Sequence, residues 1–139
     1  MKLLLILCSL LLGENLIAQQ TQCSDLLALY TTKPPQAVFE KSDIGEGQVL
    51  CTATYKVKGS DVDAVERFLI KKYKIGRLKF TCCGWESSKP GRFQKRLIDL
   101  GITMYANAER TDSTGKMYIE KKRNRIDYFY IVVTLYNEI

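Results

Sequence analysis

A short stretch of chemically capable side chains lies at residues 80–88, FTCCGWESS. Two adjacent cysteines, Cys82 and Cys83, are followed by Trp85 and Glu86. A cysteine acts as a nucleophile only as the thiolate, which needs a nearby base or positive field. The chain contains no histidine, so the usual base partner is missing. The sequence therefore predicts no catalytic residue, and it leaves Trp85 and Glu86 as candidate binding residues.

The same cysteines do not have the spacing of a metal site. Zinc sites usually contain a C-x₂-C pair, often with histidines, and the chain has neither a C-x₂-C pair nor a histidine. The glycines near this stretch, Gly84 and Gly91, belong to no phosphate-binding motif. We therefore expect neither a metal nor another cofactor.

The first 18 residues have the pattern of a secretory signal peptide. Lys2 precedes an apolar run from Leu3 to Leu12, and the predicted cleavage site follows Ala18. This run is too short for a transmembrane helix, which needs about 20 apolar residues. The sequence predicts a signal peptide at 1–18 and a single exported domain at 19–139. We expect this domain to be soluble in the periplasm or outside the cell, with no membrane span.

Four cysteines remain after the predicted cleavage: Cys23, Cys51, Cys82 and Cys83. An even number in a small exported domain predicts two disulfides, with three possible connectivities. Adjacent cysteines have Cα atoms about 3.8 Å apart, below the usual disulfide range of about 4.4–6.8 Å. Because neighbours in a strand point to opposite faces, we expect Cys82 and Cys83 to bond to separate, distant partners.

Hydrophobic periodicity predicts the elements that position these residues. Strict alternation over residues 51–58 is typical of a half-buried strand with Cys51 pointing inward. An apolar stripe over 61–75 predicts the main helix. We expect strands in the remaining apolar stretches and a short helix near the predicted N-terminus, as follows: helix 26–30, and strands at 37–40, 77–86, from 100 onward, and within 125–136.

These elements predict an α+β fold, a single two-layer domain with an antiparallel sheet and a main helix at 61–75. The segment 110–124 fits either a short charged helix or a polar strand. A helix would give the ferredoxin-like βαββαβ order, whereas a strand would give a single-helix α+β roll.

Positive charge is concentrated in two blocks of the chain, whose formal net charge is +6. Residues 71–96 contain nine basic side chains and one acid, Glu86. The second block is KKRNR at 121–125, in which Lys121, Lys122, Arg123 and Arg125 are candidate binding residues. Such blocks are typical of polyanion-binding surfaces. We expect a protein or a polyanionic ligand of the cell envelope as partner, and no nucleic acid.

Several short motifs together suggest a family. They are a cysteine before a short helix (Cys23, Leu26, Leu27), the loop Lys33-Pro34-Pro35, the strand exit Thr54–Gly59, the helix motif Val65–Leu69, CCGWE at 82–86 and the C-terminal NEI. The chain resembles a family of small exported bacterial proteins that is classified only as a domain of unknown function. The resemblance implies export, a single domain and no established activity.

The sequence thus favours an exported, disulfide-stabilised binding or interaction domain without catalytic activity. The alternative is a small periplasmic enzyme, with thiol redox or hydrolase activity centred on CCGWE.

Overall fold

Alternating apolar and polar side chains build a seven-stranded antiparallel sheet, the centre of the structure. The computed structural model describes residues 23–137, so the predicted signal peptide lies outside the described residues. The elements in chain order are α1 (Leu26–Tyr30), β1 (Val38–Ile44), β2 (Val49–Lys58), α2 (Val62–Tyr73), β3 (Leu78–Thr81), β4 (Gly84–Ser87), β5 (Gly91–Lys95), β6 (Ile98–Asn107), β7 (Glu109–Thr111), β8 (Met117–Ile119) and β9 (Tyr128–Tyr136). Short 3₁₀ turns occupy Gly59–Asp61 and Arg123–Arg125.

The strand order is β1-β2-β9-β6-β4-β3, and β5 also pairs with β6. The last strand, β9, therefore lies in the middle of the sheet, between β2 and β6. We call the end of the sheet at which β2 and β6 finish and β9 begins the lower end. The connection between β3 and β4 lies at this lower end, because Gly84 pairs with Asn107 at the end of β6.

One face of the sheet, the inner face, carries the hydrophobic core. On β2 the alternation predicted from the sequence is confirmed, because every second side chain from Cys51 to Val57 is fully buried. The apolar stripe of α2 packs into the same core, with Val65, Leu69 and Tyr73 completely buried. The single-domain α+β class with its main helix is thus as predicted.

The opposite, outer face is covered by none of the described helices. Pairing aligns one row of side chains across six strands of this face: Val38, Lys56, Tyr130, Tyr105, Glu86 and Lys79. No helix among residues 23–137 is long and apolar enough to cross a membrane.

The ends of the two helices are formed in different ways. A 3₁₀ turn precedes α2, and no side chain caps the start of this helix. The helix ends at Tyr73 because Lys74 adopts a left-handed conformation (φ 61°), two residues before Gly76. In α1 the cap is Asp25, whose carboxylate accepts a hydrogen bond from the Ala28 N–H.

The segment 110–124 forms strands rather than the alternative helix. Strands β7 and β8 pair in a separate two-stranded sheet. Asp112 organises the intervening turn, because its carboxylate accepts hydrogen bonds from the Thr114 and Lys116 N–H groups, and Gly115 supplies a positive φ of 84°. The ferredoxin-like order would need a second helix on the sheet from this segment, and the segment does not provide it.

Candidate functional site

The stretch 77–86, predicted as one strand, folds as a tight hairpin. Cys82 and Cys83 form its two-residue turn, which we call the cysteine turn, and Thr81 pairs with Gly84 across it. Cys82 has a positive φ of 52°, and the Cys83 N–H donates to the Thr81 carbonyl at 2.6 Å. Turns of this length usually have Gly, Asn or Asp where φ is positive. The prediction of a continuous strand was wrong because two cysteines carry none of these signals.

The disulfide pattern of the structure also differs from the expected one. Cys23 bonds to Cys51, with Cα atoms 5.4 Å apart, and Cys51 is fully buried. Cys82 is exposed, Cys83 is half-buried, and both are free thiols. The expectation of separate, distant partners for Cys82 and Cys83 was wrong, because both lie at the apex of a hairpin and the other two cysteines bond to each other.

The environment of Cys83 disfavours the thiolate. The hydrogen bond with Cys82 raises the pKa of the Cys83 thiol to about 11, helped by partial burial and by the negative charge of Glu109. A thiol with this pKa is protonated at neutral pH, and the thiolate is the reactive form. The cysteine turn therefore lacks an activated nucleophile at Cys83.

Trp85 and Glu86 point to opposite faces of the sheet. Trp85 is half-buried on the inner face, where its ring meets the edge of Phe80 at a centroid distance of 5.6 Å. The Arg123 guanidinium carbon lies 5.4 Å from the centroid of the Trp85 ring, within cation–π range. Glu86 is exposed on the outer face, between Tyr105 and Lys79. The structure thus joins Trp85, but not Glu86, to the basic block at 121–125.

Arg123 is held by two carboxylates of α2. Its guanidinium forms an ion pair with Asp63 at 2.9 Å and another with Glu66 at 3.2 Å. Glu66 also accepts a hydrogen bond from the Leu78 N–H at 2.7 Å, so it joins α2 to the start of β3. Arg123 therefore fixes the basic block against the helix and Trp85, and its charge is already neutralised.

The other candidate cations of this block face the solvent. Lys121, Lys122 and Arg125 are all exposed. A shallow groove of about 340 Å³ lies beside Arg125, and Arg125 and Lys58 contribute to its lining. The structure thus brings the cysteine turn and the basic block together at the lower end of the sheet.

Tyrosines of the outer face are candidate contact residues that the sequence reasoning missed. The rings of Tyr105 and Tyr130 stack at a centroid distance of 5.6 Å, and Lys56 Nζ lies 3.9 Å from the centroid of the Tyr128 ring. The available signal was the alternation of β9, which places Tyr128 and Tyr130 opposite the buried Phe129.

A groove of about 390 Å³ links this face to the cysteine turn. Its lining comprises Thr81, Cys82, Cys83, Gly84, Trp85, Glu86, Tyr105 and Ala106. Within the described part of the chain, no group of three or more Cys, Asp or Glu side chains could hold a metal ion.

Comparisons with known proteins place this chain in a family. No curated protein and no solved structure matches the chain significantly. A domain of unknown function, DUF4952, matches residues 14–85, just over half of the chain. The matched range contains α1, the Cys23–Cys51 disulfide, α2 and the cysteine turn, and it ends at Trp85. The chain belongs to the DUF4952 family.

Proposed function

We propose that this chain is an exported, disulfide-stabilised binding domain, not an enzyme, and that it contacts its partner through the lower end of the sheet. The observation that carries the proposal is the meeting of the cysteine turn and the basic block, with Arg123 against Trp85 at 5.4 Å. Export is supported by the leader-like pattern at 1–18 and by the Cys23–Cys51 bond, which suits an oxidising compartment.

The chemistry of the lower end favours a polyanionic partner of the cell envelope, either a charged polymer or an acidic protein surface. Lys121, Lys122 and Arg125 are exposed, and Lys58 lines the same groove as Arg125. Exposed cations attract polyanions over several ångströms, and this attraction weakens with added salt. The half-buried Trp85 and the exposed Tyr105 add apolar contact area beside the charges.

The enzyme alternative is the weaker proposal. A thiol enzyme centred on CCGWE would need a base to activate its cysteine for rapid turnover; the chain has no histidine, and the pKa of Cys83 is raised to about 11. A hydrolase would need a second acid–base group beside Glu86, and CCGWE contains no other carboxylate.

Heparin affinity chromatography tests the proposal, with heparin as a model polyanion. We expect the protein to be retained at low salt and to elute as the salt concentration rises. The double variant Lys121→Ser/Lys122→Ser should elute at clearly lower salt, because it removes two exposed cations of the lower end.

A matched control removes the same charge elsewhere. Lys71→Ser/Lys72→Ser takes two exposed lysines from the last turn of α2. We expect it to elute close to the unmodified protein. Equal losses in the two double variants would show that only net charge matters, and no retention at low salt would remove the polyanion proposal.

A further inference from the structure

The cysteine turn has an unusual composition that neither packing nor turn chemistry explains. Among residues 23–137, Cys82 and Cys83 are the only thiols outside a disulfide. Cysteine is normally among the most buried residue types, yet Cys82 is exposed at a hairpin apex. The positive φ at Cys82 is the conformation for which glycine or asparagine is preferred.

The local backbone geometry holds the two cysteines side by side at the apex of the hairpin. The Cys83 N–H donates to the Thr81 carbonyl across Cys82, which closes a three-residue turn. The Cys83 carbonyl accepts a hydrogen bond from the Ala108 N–H at 2.8 Å, so the turn is anchored to the segment after β6. Interaction with the adjacent Cys82 side chain also raises the pKa of Cys83.

We propose that Cys82 and Cys83 form a reversible dithiol–disulfide couple that reacts with external disulfides. Cys23 and Cys51 bond to each other, so no other cysteine of the described chain is available to this pair. The exposed Cys82 is the thiol that an external disulfide meets first, and the half-buried Cys83 is the resolving thiol.

The thiol–disulfide exchange proceeds in two steps, and its atoms and electrons balance. The Cys82 thiolate attacks one sulfur of the external disulfide, forms a mixed disulfide, and releases one external thiol. The Cys83 thiolate then attacks Cys82 Sγ, forms the Cys82–Cys83 bond, and releases the second external thiol. Two protein thiols are oxidised, one external disulfide is reduced, and the two protons are taken up by the released thiolates.

Reversibility follows from the spacing of adjacent residues. Their Cα atoms are about 3.8 Å apart, below the range of unstrained disulfides. Strained and exposed disulfides are more easily reduced than buried structural ones. Cys51, in contrast, is fully buried, so its bond to Cys23 should persist under conditions that reduce the pair.

Titration with oxidised glutathione, followed by peptide mass mapping, tests the couple directly. Trypsin should release residues 80–92, which contain Cys82 and Cys83 and no other cysteine, because Lys89 is followed by Pro90. In the unmodified protein we expect this peptide to lose the mass of two hydrogen atoms and to regain it with reduced glutathione. The closure rate should rise about tenfold per pH unit near neutrality, because closure uses the Cys83 thiolate.

The single variants Cys82→Ser and Cys83→Ser are the matched controls. Neither can close a ring, so each should accumulate a stable adduct with the mass of one glutathione on the same peptide. The proposal is overturned if the unmodified protein keeps such adducts as the variants do, if it forms disulfide-linked dimers instead, or if both thiols stay reduced. None of these results depends on polyanion binding, so the couple and the proposed function can fail separately.

Discussion

At the scale of single residues, Arg123 shows how sequence position and role can differ. It lies in a block of five residues that contains four cations, and composition alone assigns all four to a ligand surface. In the structure its side chain is only 23% exposed and is held by Asp63 and Glu66. The block therefore divides into one structural cation and three exposed ones.

This division predicts that two arginine substitutions lower the free energy of unfolding by different amounts. Arg123→Ala should lower the free energy of unfolding by about 2 kcal/mol, because it removes charged hydrogen bonds and leaves Glu66 without its cation. Arg125→Ala should change it by less than about 0.5 kcal/mol, because Arg125 is exposed. Urea denaturation monitored by Trp85 fluorescence measures both.

Arg123→Lys provides the control for charge. Lysine keeps the positive charge but cannot present the forked donors of arginine. The loss in the free energy of unfolding for Arg123→Lys should therefore lie between the losses for the two alanine variants. Equal stability of Arg123→Ala and Arg125→Ala would contradict a structural role for Arg123.

At the scale of elements, α1 is too short to be stable alone and depends on its attachment to β2. The Cys23–Cys51 bond forms one attachment. The second is polar: the Tyr55 hydroxyl donates to Asp25 at 2.6 Å and accepts from the Leu27 N–H at 2.9 Å. Lys33 adds an ion pair to Asp25 at 3.3 Å.

This network predicts a pH dependence of stability. Partial burial alone would raise the pKa of Asp25, but hydrogen bonds from Tyr55, Ala28 and Lys33 outweigh it and lower the pKa below the usual value. A lowered pKa in the folded state stabilises the protein above the unfolded pKa of about 3.9, and this contribution is lost as the pH falls through the folded pKa.

Asp25→Asn should therefore lower the free energy of unfolding by about 1 kcal/mol at pH 7, where the carboxylate of the unmodified protein is charged. The stability difference from the unmodified protein should shrink as the pH falls below about 4. Urea denaturation at pH 7 and near pH 3 measures the difference. An equal difference at the two pH values would show that the charge of Asp25 does not contribute.

At the scale of the whole molecule, local patterns predicted the elements better than their arrangement. Alternation on β2 and the apolar stripe of α2 depend only on neighbouring residues, and both are as predicted. The position of β9 between β2 and β6 depends on contacts between distant segments, which periodicity does not encode. The hairpin at Cys82 and Cys83 was missed because its turn lacks the usual residues.

The candidate site shows the same limit. Sequence reasoning selected Trp85 and Arg123 separately, but their contact depends on how α2, β4 and the 123–125 turn pack together. The exposed Tyr105 and the half-buried Tyr130 form a pair only because β6 and β9 are neighbours in the sheet. The lower end therefore becomes a candidate surface only in three dimensions.

Chemical-shift mapping by NMR, with a heparin-derived oligosaccharide as the probe, tests the binding surface most directly. Our account predicts that the largest changes in backbone amide signals fall at 82–86 and 121–125, and that the exposed lysines at 71–74 change little. Changes concentrated at 71–74 or at the β5–β6 turn, or no changes at low salt, would contradict it.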